Sequence, residues 1–157
     1  MNALALIVLL PFIGAVAVLA TGSRPNLREC LSLGAGITLV GLVVSLLPAV
    51  FAGERPVSVL AEPIPGIPIA LEAEPLGMLF ALIASVLWIV TTLYSIGYMR
   101  SLQEHAQTRY FACFALALSA TVGVAFSANL FTLFLFYEAL TLVTYPLVAH
   151  KETDEAK

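Results

Sequence analysis

The chain is poor in charge, and the few charges it carries avoid its apolar runs. Of its 157 residues, 61% are hydrophobic and 11% charged, and the mean hydropathy is +1.01. A water-soluble domain of this length cannot hide that much apolar surface, so composition excludes that class and leaves a multi-span membrane protein. The seven basic residues form no cluster, which excludes a nucleic-acid footprint. Only two cysteines occur, Cys30 and Cys113. Neither has a histidine at metal-ligand spacing and nothing supports a disulfide, so both read as small packing residues. No Walker loop, dinucleotide fingerprint, haem-ligand pair or hydrolase triad is found, and no cofactor is expected.

What is present is five apolar runs, each long enough to cross roughly 30 Å of hydrocarbon at about 1.5 Å per residue. They are Ala3–Ala20, Leu31–Ala52, Leu76–Met99, Tyr110–Ala128 and Leu130–Ala149, the last interrupted only by Glu138. Within the first, Ala15-Val16-Ala17 resembles a signal-peptide cleavage site. No basic segment precedes it, however, and four more spans follow, so it reads as a retained helix. The net charge of −3 decides little, because placement outweighs total in such a chain. Arg24, Arg28, Arg100, Arg109, Lys151 and Lys157 fall on one side of the alternating loops and Arg55 alone on the other. The positive-inside rule then puts the N-terminus outside and the C-terminus in the cytoplasm, in a multi-pass protein of the cytoplasmic (inner) membrane.

The expected organisation is two helices over 1–53, an extracytoplasmic hairpin loop over 54–75, three helices over 76–149 and a cytoplasmic tail over 150–157. Pro11 should bend the first helix unless neighbours re-satisfy the freed carbonyl, and Gly22 sits where a C-cap glycine would. On the second helix, Gly41 and Ser45 would admit another helix closely. Between Glu54 and Pro75, apolar residues from Val57 to Leu71 are interleaved with Pro56, Pro63, Pro65 and Pro68, and Pro65-Gly66 signals a turn. This spacing predicts a short irregular β-hairpin or extended loop on the outer face, with a disordered loop as the alternative; the regular apolar residues favour a segment that packs on something. Pro75 suits the first turn of the third helix. Gly77, Ala81 and Ser85, and likewise Ala115, Ser119 and Gly123, predict tight helix contacts. The fourth and fifth helices must form an antiparallel hairpin, with Asn129 as N-cap of the fifth.

Glu138 is the chemically informative residue. An ionisable group at bilayer depth costs roughly 3 kcal/mol on insertion scales, and such groups face a bundle interior or a wet cavity on ion or proton routes. Thr141 and Tyr145, three and seven residues on, share its helix face. Pro146 cannot donate to the carbonyl of Leu142, which leaves a polar backbone atom nearby. A carboxylate, two hydroxyls and a loosened turn can hold water and a proton. The bland alternative is a neutral glutamic acid hydrogen-bonded as a packing device, a role that Gln would fill equally well. No Lys, Arg or His lies inside any span, so a cationic partner must come from elsewhere. His150 is placed to receive protons at the cytoplasmic end, with interfacial solvation as the alternative. His105 reads as a surface residue, and Trp88, Tyr94, Tyr98 and Tyr110 as packing or interface anchors.

Three segments carry a family resemblance: Leu93-Tyr94-Ser95-Ile96-Gly97-Tyr98-Met99, then Ser127 through Glu138 (SANLFTLFLFYE), then Tyr145-Pro146-Leu147-Val148. They resemble the antiporter-like subunits of respiratory complex I, a family that includes the large subunits of Mrp-type sodium/proton antiporters and of membrane-bound hydrogenases. The resemblance implies an all-α polytopic fold built on inverted five-helix repeats. It also implies that Glu138 matches the family's key glutamate on the fifth helix, paired with a lysine on the seventh. Family members have many more helices, whereas this chain stops before the sixth: a partial antiporter-like fold of five helices with an outer β-hairpin-like loop. The sequence therefore reads as a split subunit completed by another membrane chain that supplies the remaining helices and a mid-membrane Lys, with a fragment of a longer protein as the alternative. The expected function is that of a subunit of a multi-subunit ion-translocating complex, of Mrp-type cation/proton antiport or, alternatively, of a complex I-like or hydrogenase pump. A non-transporting structural module is the competing reading, and an ion channel lacks a filter-like loop or charged ring.

Overall fold

The computed structural model describes residues 3–102 and 106–148. Five long helices and one hairpin follow in order: α1 (Ala3–Ala20), α2 (Pro25–Phe51), β1 (Val57–Ile64), β2 (Ile67–Glu72), α3 (Pro75–Ser101), α4 (Gln107–Ala125) and α5 (Leu130–Val148). All five helices are long and apolar enough to cross a membrane, as expected of a polytopic α-helical membrane protein. The helices overrun several of the expected apolar bounds, because a helix continues through its interfacial charges. Thus α2 starts at Pro25, whose fixed φ suits a first turn, and takes in Arg28 and Glu29. α3 likewise runs on to Ser101 and takes in Arg100.

α1 packs against α2 and α4, α2 against α3, and α4 against α1, α3 and α5. Leu4, Ile7, Leu39, Met78, Trp88 and Phe126 are among the side chains at the centre. Both expected small-residue stripes are used. A Cβ on Gly77 would strike the carbonyl of Ala125, and one on Gly123 the ring of Phe136, so these glycines set the α3–α4 and α4–α5 approaches. Ser119, on the same α4 stripe, donates to the Val8 carbonyl of α1 at 2.7 Å. On α2, Gly41 meets open space and Ser45 is exposed, so no described helix uses that face, while Gly36 lies against Trp88 and Ile89. The period explains this, since Gly36, Leu39 and Val43 share the buried face and Gly41 and Ser45 fall opposite.

Pro11 is buried and α1 continues through it. Gly22 is not a left-handed cap; it is small because a Cβ there would meet the Thr108 side chain at 3.1 Å. The left-handed glycines are Gly53, after α2 (φ +86), and Gly66, in the hairpin turn (φ +83). Cys30 is exposed rather than packed, and Cys113 is half-buried.

The hairpin forms as its composition predicts. Its strands pair antiparallel, Val57 opposite Glu72 and Ile64 opposite Ile67, with irregularities either side of Ala61. Pro63 and Pro68 fall within the second break, where each removes a ladder donor; the first, at Leu60, contains no proline. What β2 packs on is the α4–α5 connection of its own chain. Glu72 donates to the Phe126 carbonyl at 2.7 Å, Ala128 donates to the Ala70 carbonyl at 3.0 Å, and Leu71 bridges Ser127.

Candidate functional site

α5 begins at a well-built cap. The Asn129 side chain accepts from the Thr132 amide at 2.8 Å, satisfying one of the orphan donors of the first turn. Thr132 is the one buried residue among those described in α5. Down the helix, Phe136 sits over Gly123, and half-buried Leu140, Val143 and Leu147 continue the face towards α4. At about 100° per residue, Glu138 lies some 200° round from Phe136, on the far side.

The structure places Glu138 accordingly. Glu138, Thr141 and Tyr145 are all exposed, on the α5 face that no other described residue covers. The shared face expected from their spacing is present. Glu138 makes no hydrogen bond or ion pair with any described residue, and the described cations all lie at helix ends or beside the hairpin. The Thr141 hydroxyl donates to the Tyr137 carbonyl at 3.1 Å, and that of Thr144 to Leu140 at 2.9 Å. With its proton committed to the backbone, Thr141 offers its lone pairs, so towards Glu138 or water it serves as an acceptor. Pro146 is half-buried and α5 continues through it to Val148. His150, and the surface residue His105, lie outside the described residues.

On the opposite flank of Glu138's neighbour Tyr137, a cleft of about 540 Å³ runs between α3, α4 and α5. Its walls include Phe80, Val124 and Leu140, with Glu74 and Thr121 as polar members. It is predominantly apolar. Among the described residues no group of three or more His, Cys, Asp or Glu side chains could hold a metal ion.

A second charged site escaped the sequence reading. Glu29, buried near the start of α2, is gripped by Arg100 from the end of α3: Nε donates to Oε1 at 3.0 Å and Nη2 to Oε2 at 2.5 Å. Arg100 also donates to Asn26 Oδ1 at 2.6 Å. Arg28, 3% exposed, lies 3.7 Å from Glu29 and ties α2 to the start of α4. It does so by donating to Thr108 Oγ1 at 3.0 Å and Gln107 Oε1 at 2.8 Å, with its guanidinium 5.3 Å from the Phe111 ring centre. Arg28 and Arg100, which as sequence serve only as orientation markers, are thus pairing groups that join three helix ends. The available signal was a carboxylate between two basic residues' reach at a proline-started helix. Its partners, however, lie more than seventy residues away in sequence.

No family model matches the sequence, and no curated protein does. Solved structures do match in fold. One is a chain of the membrane-bound sulfane sulfur reductase, an archaeal respiratory membrane complex, with a TM-score of 0.79 over 94% of this chain. Sequence identity is 21%, so the likeness is one of fold. The present chain spans 23% of the length of that chain.

Proposed function

We propose that this chain is a membrane subunit of a larger ion-translocating assembly and that Glu138 carries protons within it. The observation behind this reading is a carboxylate midway along an apolar helix, exposed on a face that no other described residue covers. Left against lipid it would cost roughly 3 kcal/mol as a charge. A second membrane chain or segment, bearing a cation or enclosing water, removes that penalty. The fold shared with a respiratory membrane complex supports placement in a multi-subunit assembly.

The mechanism needs little from this chain beyond position. Burial favours the protonated form of a carboxylate and a nearby cation the ionised form. A mid-membrane Lys that approaches and recedes therefore loads and unloads a proton at Glu138. Thr141 accepts and Tyr145 donates or accepts along the same face, and His150 is assigned the exchange with cytoplasmic water. Pro146, having no N–H, leaves the Leu142 carbonyl as a further acceptor. Cation/proton antiport of the Mrp type is the form we favour, with a complex I-like or hydrogenase pump as the second reading, which the respiratory neighbour supports. In either case the N-terminus is assigned outside the cytoplasmic membrane and the C-terminus inside.

The test is Glu138→Gln in the assembled complex, reconstituted in vesicles and assayed for coupled proton movement. Transport should be abolished while assembly on native gels is unchanged. Wild-type transport in a fully assembled variant would sink the proposal and leave a structural module.

A further inference from the structure

Among the described residues α5 packs chiefly on α4 and on strand β2, so β2 shares in holding its depth and rotation. We infer that Asn129 and Thr132 are positioning residues for Glu138, and that they act by pinning the start of α5 to strand β2 of the hairpin. Pro68 falls at an irregularity of the ladder, opposite no paired residue. Its carbonyl instead accepts from Asn129 Nδ2 at 2.8 Å. Two residues on, the Ala70 amide donates to Thr132 Oγ1 at 3.0 Å, and Thr132 Oγ1 in turn contacts Asn129 Oδ1 at 3.0 Å. At the Ala70–Thr132 bond an unmade partner is expensive, since Ala70 is buried and Thr132 fully so, while Asn129 and Pro68 are half-buried.

The clasp is polar, directional and specific to one face. Thr132 and Phe136, four residues apart, point to the same side of α5, one into β2 and the other onto Gly123. Two pins on one side fix the rotation that sends Glu138 to the opposite side. The depth is fixed as well, since Glu138 lies six residues, about 9 Å of helix axis, beyond Thr132. Its effect on transport rests on the reading of Glu138 given above; the positioning itself does not.

Asn129→Asp isolates the tie. Aspartate keeps the acceptor that caps α5 but has no Nδ2 to donate to Pro68. Thr132→Val removes the acceptor for Ala70 at constant shape, and Thr132→Ser restores it. In native membranes containing the whole complex, each variant is treated with a hydrophobic carbodiimide, and modification of Glu138 is timed by mass spectrometry with Glu29 as internal control. We expect the Glu138 rate to shift several-fold in Asn129→Asp and Thr132→Val, to return in Thr132→Ser, and to leave Glu29 unchanged. Transport should fall about tenfold in the first two, in line with the sensitivity of proton-transfer geometry to small displacements. An unaltered Glu138 rate in both Asn129→Asp and Thr132→Val overturns the inference. Shifted labelling alongside a transport-competent Glu138→Gln would uphold the positioning and remove the proton reading instead.

Discussion

Glu29 and Glu138 are both carboxylates on membrane-spanning helices, and their surroundings are opposite. Glu29 is buried, accepts two bonds from Arg100, and lies beside Arg28. Glu138 is exposed and has no partner among the described residues. A carboxylate with its hydrogen bonds made and its charge matched is a structural element, because any change of state breaks something. One left open on a helix face is available for chemistry or for a partner. Position along the helix divides them too: Glu29 lies near the start of α2 and Glu138 near the middle of α5.

The contrast yields graded expectations. The largest effect on the folded chain belongs to Glu29→Ala, which leaves the buried Arg28 guanidinium without its counter-charge and should cost roughly 3 kcal/mol. The measurement is thermal stability in detergent; a melting temperature equal to wild type would show that the three helix ends are held by packing alone. Glu138→Gln should show the reverse pattern, with transport lost and melting unchanged. A fall in stability as large as that of Glu29→Ala would make the two carboxylates alike. Next comes Gly77→Ala, whose methyl meets the Ala125 backbone, which cannot step aside. Overpacking of this kind costs about 1–3 kcal/mol. Equal stability would mean that α3 and α4 slide apart freely. The smallest effect is at Arg55, which pairs with Glu74 at 2.6 Å and Glu72 at 3.6 Å but is 60% exposed. Arg55→Gln should change stability by no more than about 0.5 kcal/mol, as solvent screens such pairs. A larger loss would show that the hairpin depends on charge as well as on its backbone ties.

Much of this was legible beforehand where the physics is local. The Ala3–Ala20 span, the Pro65-Gly66 turn, the Asn129 cap and the shared face of Glu138, Thr141 and Tyr145 each depend on residues within one or two turns of one another. What was not legible has a different origin. Gly41 and Ser45 have the spacing of a contact face, but which side of α2 meets α3 depends on Leu39 and Val43. Arg28 counts as a loop cation until Gln107 and Thr108 come alongside it. Thr132 looks like any apolar-helix threonine until Ala70 approaches.

The sequence by itself determined that this is a membrane protein of five apolar helices with a hairpin after the second and one carboxylate in the middle of the fifth. Hydrophobic run length, period and turn chemistry are properties of contiguous residues, and the solvent enforces them directly. Only the tertiary structure decided that Glu29 is sealed and Glu138 open, and that β2 grips the start of α5. Burial and hydrogen-bond partnership depend on which distant segments meet, and that choice belongs to the packing of the whole chain.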